Sequence, residues 1–161
     1  MAMNSTPEFH SLTGLYEPSA IQQLPDGRFL VLEDEKEQPF SLATIGPDGT
    51  VASTPLHPGP QESAEAFRKL NDLEGIALDR DGHVYAVTSH SRDGDGDEKA
   101  SRERLLRFRI EGERAVAPKV SNALKPALLA AHSVLAAAAG IRDVKAGGGL
   151  NIEALDLSPD A

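Results

Sequence analysis

The chain predicts an all-β fold built from repeated four-stranded antiparallel units, two of them complete and a third represented by its first strand, with one inserted helix. The main observation is a recurring phrase: an acidic or polar residue, an apolar strand, an Asp-Gly turn, then a second apolar strand. It runs from Glu17-Pro18-Ser19-Ala20-Ile21 through Asp26-Gly27, and again from Asp72-Leu73-Glu74-Gly75-Ile76 through Asp81-Gly82. It starts a third time at Asn151-Ile152-Glu153-Ala154-Leu155 and reaches Pro159-Asp160. Self-similarity of this kind marks an array of like β-units. A second observation is an Ala/Leu-rich stretch at 123–139, unlike anything else in the chain, which reads as the helix.

Taken in order, residues 1–15 form a loose N-terminal segment, with 9–16 able to supply an extra strand. The first unit, 16–58, places strands near 19–24, 28–33, 40–45 and 50–55. Asp26-Gly27 and Asp48-Gly49 supply turns in which glycine takes positive φ at little steric cost. A linker at 59–71 follows Pro58-Gly59-Pro60 and carries a short helix near 62–70. The second unit, 72–121, has strands at 75–79, 84–89, 104–111 and 114–121, the middle pair separated by the charged, glycine-containing segment 92–98. In 122–149 a helix is capped by Ser121 or Asn122 and stopped by Gly140, and Gly147-Gly148-Gly149 connects to a strand at 151–157.

Composition narrows the function. The 161 residues suffice for a real core, and the formal charge of −9 disfavours a nucleic-acid backbone or an anionic membrane as partner, both of which attract basic surfaces. A cationic small molecule or a metal suits it better. The absence of cysteine limits any metal to oxygen or imidazole ligands, which favours Ca²⁺ or another hard divalent cation. The first residues have neither a basic region nor an apolar run, so a cytoplasmic location is expected. The apolar segment 124–139 contains Lys125, Pro126 and His132 and is shorter than the roughly 20 residues of a membrane span.

Aligning the turn aspartates Asp26, Asp81 and Asp160 puts Ser19, Glu74 and Glu153 in one row, and Glu17, Asp72 and Asn151 in the row two residues earlier. A spacing of two places both rows on one side of a strand. Glu17, Asp72, Glu74, Asn151 and Glu153 are therefore the candidate metal ligands: converging carboxylates repel one another, and a cation with about six to eight oxygen ligands relieves that repulsion. The competing reading is a wet channel mouth.

The run Asp72-Leu73-Glu74-Gly75-Ile76-Ala77, the segment 85–92 ending in Ser89-His90-Ser91-Arg92, the segment 102–109 and Gly149-Leu150-Asn151-Ile152-Glu153-Ala154 together resemble an uncharacterised bacterial family of β-propeller-like domains. Glu17-Pro18-Ser19 and Asp34-Glu35 fit the same pattern, so the resemblance covers nearly everything from Leu15 onward. More distantly, the Glu-Gly-Ile-Ala strand is similar to esterase-like phytase domains and to gluconolactonase and regucalcin propellers, whose central channel holds a divalent metal. The third unit departs from the pattern with Glu153-Ala154 in place of Glu-Gly, which bears on how closely the backbone there is approached. What the resemblance implies is a partial β-propeller, two four-stranded blades plus the first strand of a third. Propellers close with about 4 to 8 blades, so the expectation is an N-terminal fragment with open edges that self-associates or takes up a completing chain.

Candidate catalytic residues are Asp34, at the end of the second strand of the first unit, His90 at the corresponding place in the second, and Arg104 nearby. His90 would act as general base near Asp34 or Glu74. Ser89, His90 and Ser91 do not make a nucleophile site by adjacency alone, because neighbours along a strand point to opposite faces. Asp93, Asp95 and Asp97 resemble the start of a calcium loop but lack its glycine at position six and glutamate at position twelve. Two functions follow as expectations: a metal-binding propeller with hydrolase-like chemistry on a phosphoester or lactone, or a non-catalytic scaffold that binds a small ligand or a protein.

Overall fold

The computed structural model describes residues 15–33, 38–59, 65–67, 70–143 and 147–158, which form two mainly antiparallel sheets. The first is a meander of β1 (Pro18–Gln23), β2 (Phe29–Glu33), β3 (Phe40–Ile45) and β4 (Val51–Pro55), in that spatial order. The second contains β5 (His57–Pro58), β6 (Leu73–Leu78), β7 (His83–Thr88), β8 (Leu105–Glu111) and β9 (Arg114–Ser121), ordered β5-β9-β8-β7-β6. Each sheet holds the four expected antiparallel strands. The second gains a fifth, because the chain leaving β4 lies parallel to β9, pairing His57 with Arg114 and Pro58 with Ala115. Pro58 has no N–H to give and is tolerated because it is on the sheet edge. No helix among the described residues is long and apolar enough to cross a membrane.

The turns form for the expected reason. Gly27 and Gly82 have φ of 87° and 79°, the left-handed region in which a side chain is strained. The preceding aspartates lock the same turns: the Arg28 N–H donates to Asp26 Oδ1 at 3.0 Å, and the His83 N–H to Asp79 Oδ1 at 2.7 Å.

The repeat extends to backbone detail. Glu17 and Asp72, matched in the sequence, both have positive φ, 41° and 63°. Both first strands then slip register at the next matched position, between Pro18 and Ala20 in β1 and between Leu73 and Gly75 in β6. Ser19 and Glu74 are thus the extra residues of two equivalent bulges, which re-aim side chains at a strand start.

One core unites the sheets. Phe40 of β3, Phe108 of β8 and Phe67 from the helical residues 65–67 meet edge to face with centroids 5.3 to 5.7 Å apart. Such aromatic pairs contribute about 0.5–1.5 kcal/mol each beyond area burial. Leu30, Leu32, Leu42, Val84 and Leu106 complete the same cluster. The first strands lie side by side, β1 against β6, with the Ser19 hydroxyl donating to the Leu73 carbonyl at 2.9 Å. This is the arrangement of adjacent blades around an axis, and the fold is a partial propeller.

Three expectations need correction. The single helix is two, α1 (Leu124–Ala131) and α2 (Ser133–Ala139), broken at His132, whose backbone is extended (φ −135°, ψ 106°). The His132 N–H closes α1 on Leu128 O, while its carbonyl accepts from Leu135 and Ala136 to start α2. The expected N-cap also differs: Ala123 occupies that position without a side-chain bond of its own, its N–H donating to Ser121 Oγ at 3.2 Å, while Gly140 ends α2 as expected, with a right-handed φ of −74°. Finally, 151–158 joins neither sheet as a strand. The Ile152 N–H instead donates to Ser89 O at 2.7 Å, and the segment lies across Gly75. The expectations for residues 1–14, 34–37 and most of 62–70 fall outside the described residues.

The contact at Gly75 is tight. A methyl group there would stand 2.6 Å from Leu155 N and 2.9 Å from the Ala154 carbonyl carbon, both backbone atoms that cannot rotate away. Gly75→Ala is therefore expected to push 151–157 off β6 and to destabilise the protein by about 1–3 kcal/mol, as overpacking does. Urea unfolding reads the loss. An unchanged midpoint would show that the contact is not tight in solution.

Candidate functional site

Where β6 begins and β7 ends, a cleft of about 570 Å³ opens. Its floor is formed by Asp72, Glu74, Ser91 and Arg102, none of them exposed, and its rim by the exposed Asn151, the 92–96 loop, Arg142 and Asp143. The left-handed backbone at Asp72 and the bulge at Glu74 turn both residues out of the ladder and into this space. Asn151 is delivered by the bond from Ile152 to Ser89, one residue along.

A connected polar network holds the floor. Arg102 Nη1 lies 3.0 Å from Asp72 Oδ2 and donates to Ser91 Oγ at 3.1 Å, while its Nε donates to Asn71 Oδ1 at 2.9 Å. The Ser91 hydroxyl is 2.9 Å from Ser89 Oγ and 3.3 Å from Asp72 Oδ2. The Ser89 N–H donates to the Asp72 carbonyl at 2.8 Å, tying the end of β7 to the start of β6. Interlocked bonds to charged groups fix side-chain positions more firmly than single contacts do.

The rim is held too. Asp93 accepts the N–H groups of Asp95 and Asp97 on one oxygen and pairs with Lys99 through the other at 3.0 Å. The Asp97 N–H first and the Lys99 ammonium next hold the Asp93 carboxyl below the usual carboxylate range. The 93–97 segment is an aspartate-centred turn, and its principal carboxylate already has its partners. Arg92 donates to Ala139 O at 3.2 Å and to Glu98 at 3.3 Å, anchoring the loop to α2.

Of the five candidate metal ligands, Asp72, Glu74 and Asn151 share the cleft, whereas Glu17 and Glu153 are exposed and off its lining. Glu153 instead accepts a bond from Asn151 Nδ2. Among the described residues no three His, Cys, Asp or Glu side chains gather as a metal would need. Arg102 moreover supplies to Asp72 the positive charge that a cation would bring.

His90 is turned away from the cleft. It is 1% exposed, has a left-handed φ of 54°, and its Nδ1 lies 2.7 Å from the Thr88 carbonyl, which requires the proton on that nitrogen. Nε2 has no hydrogen-bond partner among the described residues. Burial depresses the imidazole's pKa, opposed by the Thr88 bond and the Glu103 charge and assisted by Lys125. On that side Lys125, itself buried, bridges Glu98 at 3.2 Å and Glu103. His90 is not among the residues that line the cleft with Glu74. Asp34 lies outside the described residues. Arg104 is also off the cleft lining, its Nε donating to Ala100 O at 3.1 Å.

The residues that sequence reasoning missed are Arg102 and Ser91. Period-two spacing already separated Ser91 from His90, and the structure puts the two serines together on one side of the chain. Arg102 and Arg104 looked alike in sequence. What separates them is that Arg102 ends a 3-10 turn (Ala100–Arg102) before β8 begins at Leu105.

No family profile matches the chain, and no curated protein matches it in sequence. Among solved structures it is similar to the PQQ domain of pyranose dehydrogenase from Coprinopsis cinerea in its holo form, at 18% identity and a TM-score of 0.44 over 68% of this chain and 22% of that one. It is also similar to the PQQ-bound aldose sugar dehydrogenase from Streptomyces coelicolor, at 25% identity and a TM-score of 0.43 over 68% of this chain and 30% of that one. The chain spans under a third of the length of either structure. Such overlap is loose, and the blade geometry stands on the strand order and register described above.

The buried imidazole has a measurable consequence. Its folded-state pKa lies below the ordinary value of 6.5, so as pH falls the unfolded chain takes up the proton first. The stability it contributes is complete above that value and is lost as pH falls through it toward the folded-state value. His90→Asn removes the titration while keeping a residue that tolerates left-handed backbone. Urea unfolding at about pH 7.5 and about pH 5 should show a smaller drop for the variant than for the parent protein. Equal drops would mean the imidazole is solvated.

Proposed function

We propose that this cleft binds a small organic cation bearing hydrogen-bonding groups, and that the chain serves a propeller as a non-catalytic binding module. The supporting observation is the lining: the carboxylates Asp72, Glu74, Asp93, Asp95 and Asp143 outnumber the guanidiniums Arg92, Arg102 and Arg142. A low-dielectric cleft with an acidic majority concentrates positive ligands, and the chain's charge of −9 reinforces the field. Asn151, Ser91 and the guanidiniums add neutral and donating contacts for orientation. Against catalysis stands the Ser91 hydroxyl: it is bonded to Ser89, Asp72 and Arg102, and among the described residues no histidine lines the cleft to take its proton.

The metal-assisted hydrolase reading, acting on a phosphoester or a lactone, has one favouring observation, the meeting of Asp72, Glu74 and Asn151 in a single space. Calorimetry separates the two. Titration with ethanolamine and choline should show saturable binding, and Glu74→Gln should weaken it about 10-fold or more, the cost of losing a charge-assisted contact. Calcium should give no comparable heat. Calcium binding that Glu74→Gln abolishes, or amines that give no heat at all, would overturn the cation-binding proposal.

A further inference from the structure

We propose that His90 is a proton sensor set behind the floor of the cleft, and that a proton taken up at its Nε2 lowers the affinity of the cleft for a cation. For its ligand this rests on the cation-binding reading above; for its switch it rests on the geometry around the imidazole. His90 stands between Ser89 and Ser91, whose hydroxyls meet at 2.9 Å, and the Ser91 hydroxyl goes on to Asp72 and Arg102. The imidazole is thus one residue from the cleft floor, yet it is 1% exposed and does not line the cleft.

The chain at 102–103 joins the two sides. The Arg102 carbonyl accepts the His90 N–H at 2.8 Å and the Thr88 hydroxyl at 2.6 Å, while its guanidinium lies 3.0 Å from Asp72. The next residue, Glu103, sets its carboxylate on the buried Lys125 of α1. Among the described residues the charged groups whose fields reach the ring are these two: Glu103, ahead of β8, favours the imidazolium, and Lys125 opposes it. Lys125 has a second carboxylate at 3.2 Å, Glu98 of the rim loop, which Arg92 also holds.

Nδ1 already donates to the Thr88 carbonyl, so an added proton goes to Nε2, which has no hydrogen-bond partner among the described residues in the neutral state. Glu103 is the carboxylate that answers it, and Glu98 keeps Lys125 when it does. The change is carried to Arg102, one residue away. The new positive charge is buried and weakly screened, and it lies behind the carboxylates that attract the ligand, so it opposes a cation in front of them. Coupling of this kind is reciprocal: a bound cation must in turn make the ring harder to protonate. The neutral ring is the binding state, lost as pH falls through the folded-state pKa of His90.

Nuclear magnetic resonance of the full chain tests this, with the His90 ring and the Arg102 Nε–H followed through an acid titration with and without saturating ethanolamine. The Arg102 signal should move with the His90 midpoint in the parent protein and stay still in His90→Asn. Ethanolamine should lower the His90 midpoint and leave those of His57, His83 and His132, which do not line the cleft, where they are. Calorimetry should find ethanolamine bound about 5-fold more weakly once the ring is charged. Glu103→Gln keeps the imidazole and should lower its midpoint, which covers the case in which His90→Asn fails to fold. An Arg102 signal that ignores the His90 proton, or ethanolamine bound equally tightly in both states of the ring, would overturn the proposal. Ethanolamine that binds at no pH, while Arg102 still follows the ring, would sink the cation-binding reading and leave the proton switch standing.

Discussion

The approach of 151–157 onto β6 at Gly75 is the contact on which the candidate site depends. Backbone atoms of Ala154 and Leu155 come so near Gly75 that no side chain fits between them. That closeness, with the bond from Ile152 to Ser89, carries Asn151 to the mouth of the cleft and leaves Asp72 and Glu74 opposite it. β6 in turn lies against β1. A propeller-like array is held by the contact of successive first strands as well as by its ladders, and the smallest residue type is needed where two backbones meet.

Around that contact the polar groups divide between two sides. The end of β7 sends Ser91 into the cleft, where Asp72 and Arg102 hold it, and sends His90 into the interior, where its Nδ1–H donates to the Thr88 carbonyl. The division follows from extended backbone, in which neighbours face opposite ways, sharpened by the left-handed turn at His90. The cleft is therefore a place of fixed charges and hydroxyls, and the titratable imidazole lies behind it. Lys125 with Glu98 and Glu103 shows the same logic, a buried ammonium made tolerable by two carboxylates from the loop it fastens.

Much of the fold was legible because its causes are local. Asp-Gly turns need glycine's positive φ, alternating apolar residues need a core face, and the matched rows at Glu17 and Asp72 mark a recurring backbone kink. Less legible was whatever required a distant partner. The linker's Phe67 completes an aromatic cluster with Phe40 and Phe108, and His57-Pro58 crosses to the second sheet; neither choice is written in the residues nearby. The break at His132 lacked even a glycine or proline to announce it.

For the site, the sequence alone determined the acidic rows, their spacing, and their position at the start of first strands, because a period of two and a repeated turn are properties of the chain itself. It determined, too, that Ser91 and His90 face apart. Only the tertiary structure decided which members of those rows meet. Glu17 and Glu153 stay outside while Asp72, Glu74 and Asn151 converge, and Arg102 rather than Arg104 neutralises Asp72. The physical reason is that convergence depends on how whole units stack and where a connecting turn ends, and a shift of two residues along the chain carries a guanidinium from the cleft floor to the surface of a neighbouring loop.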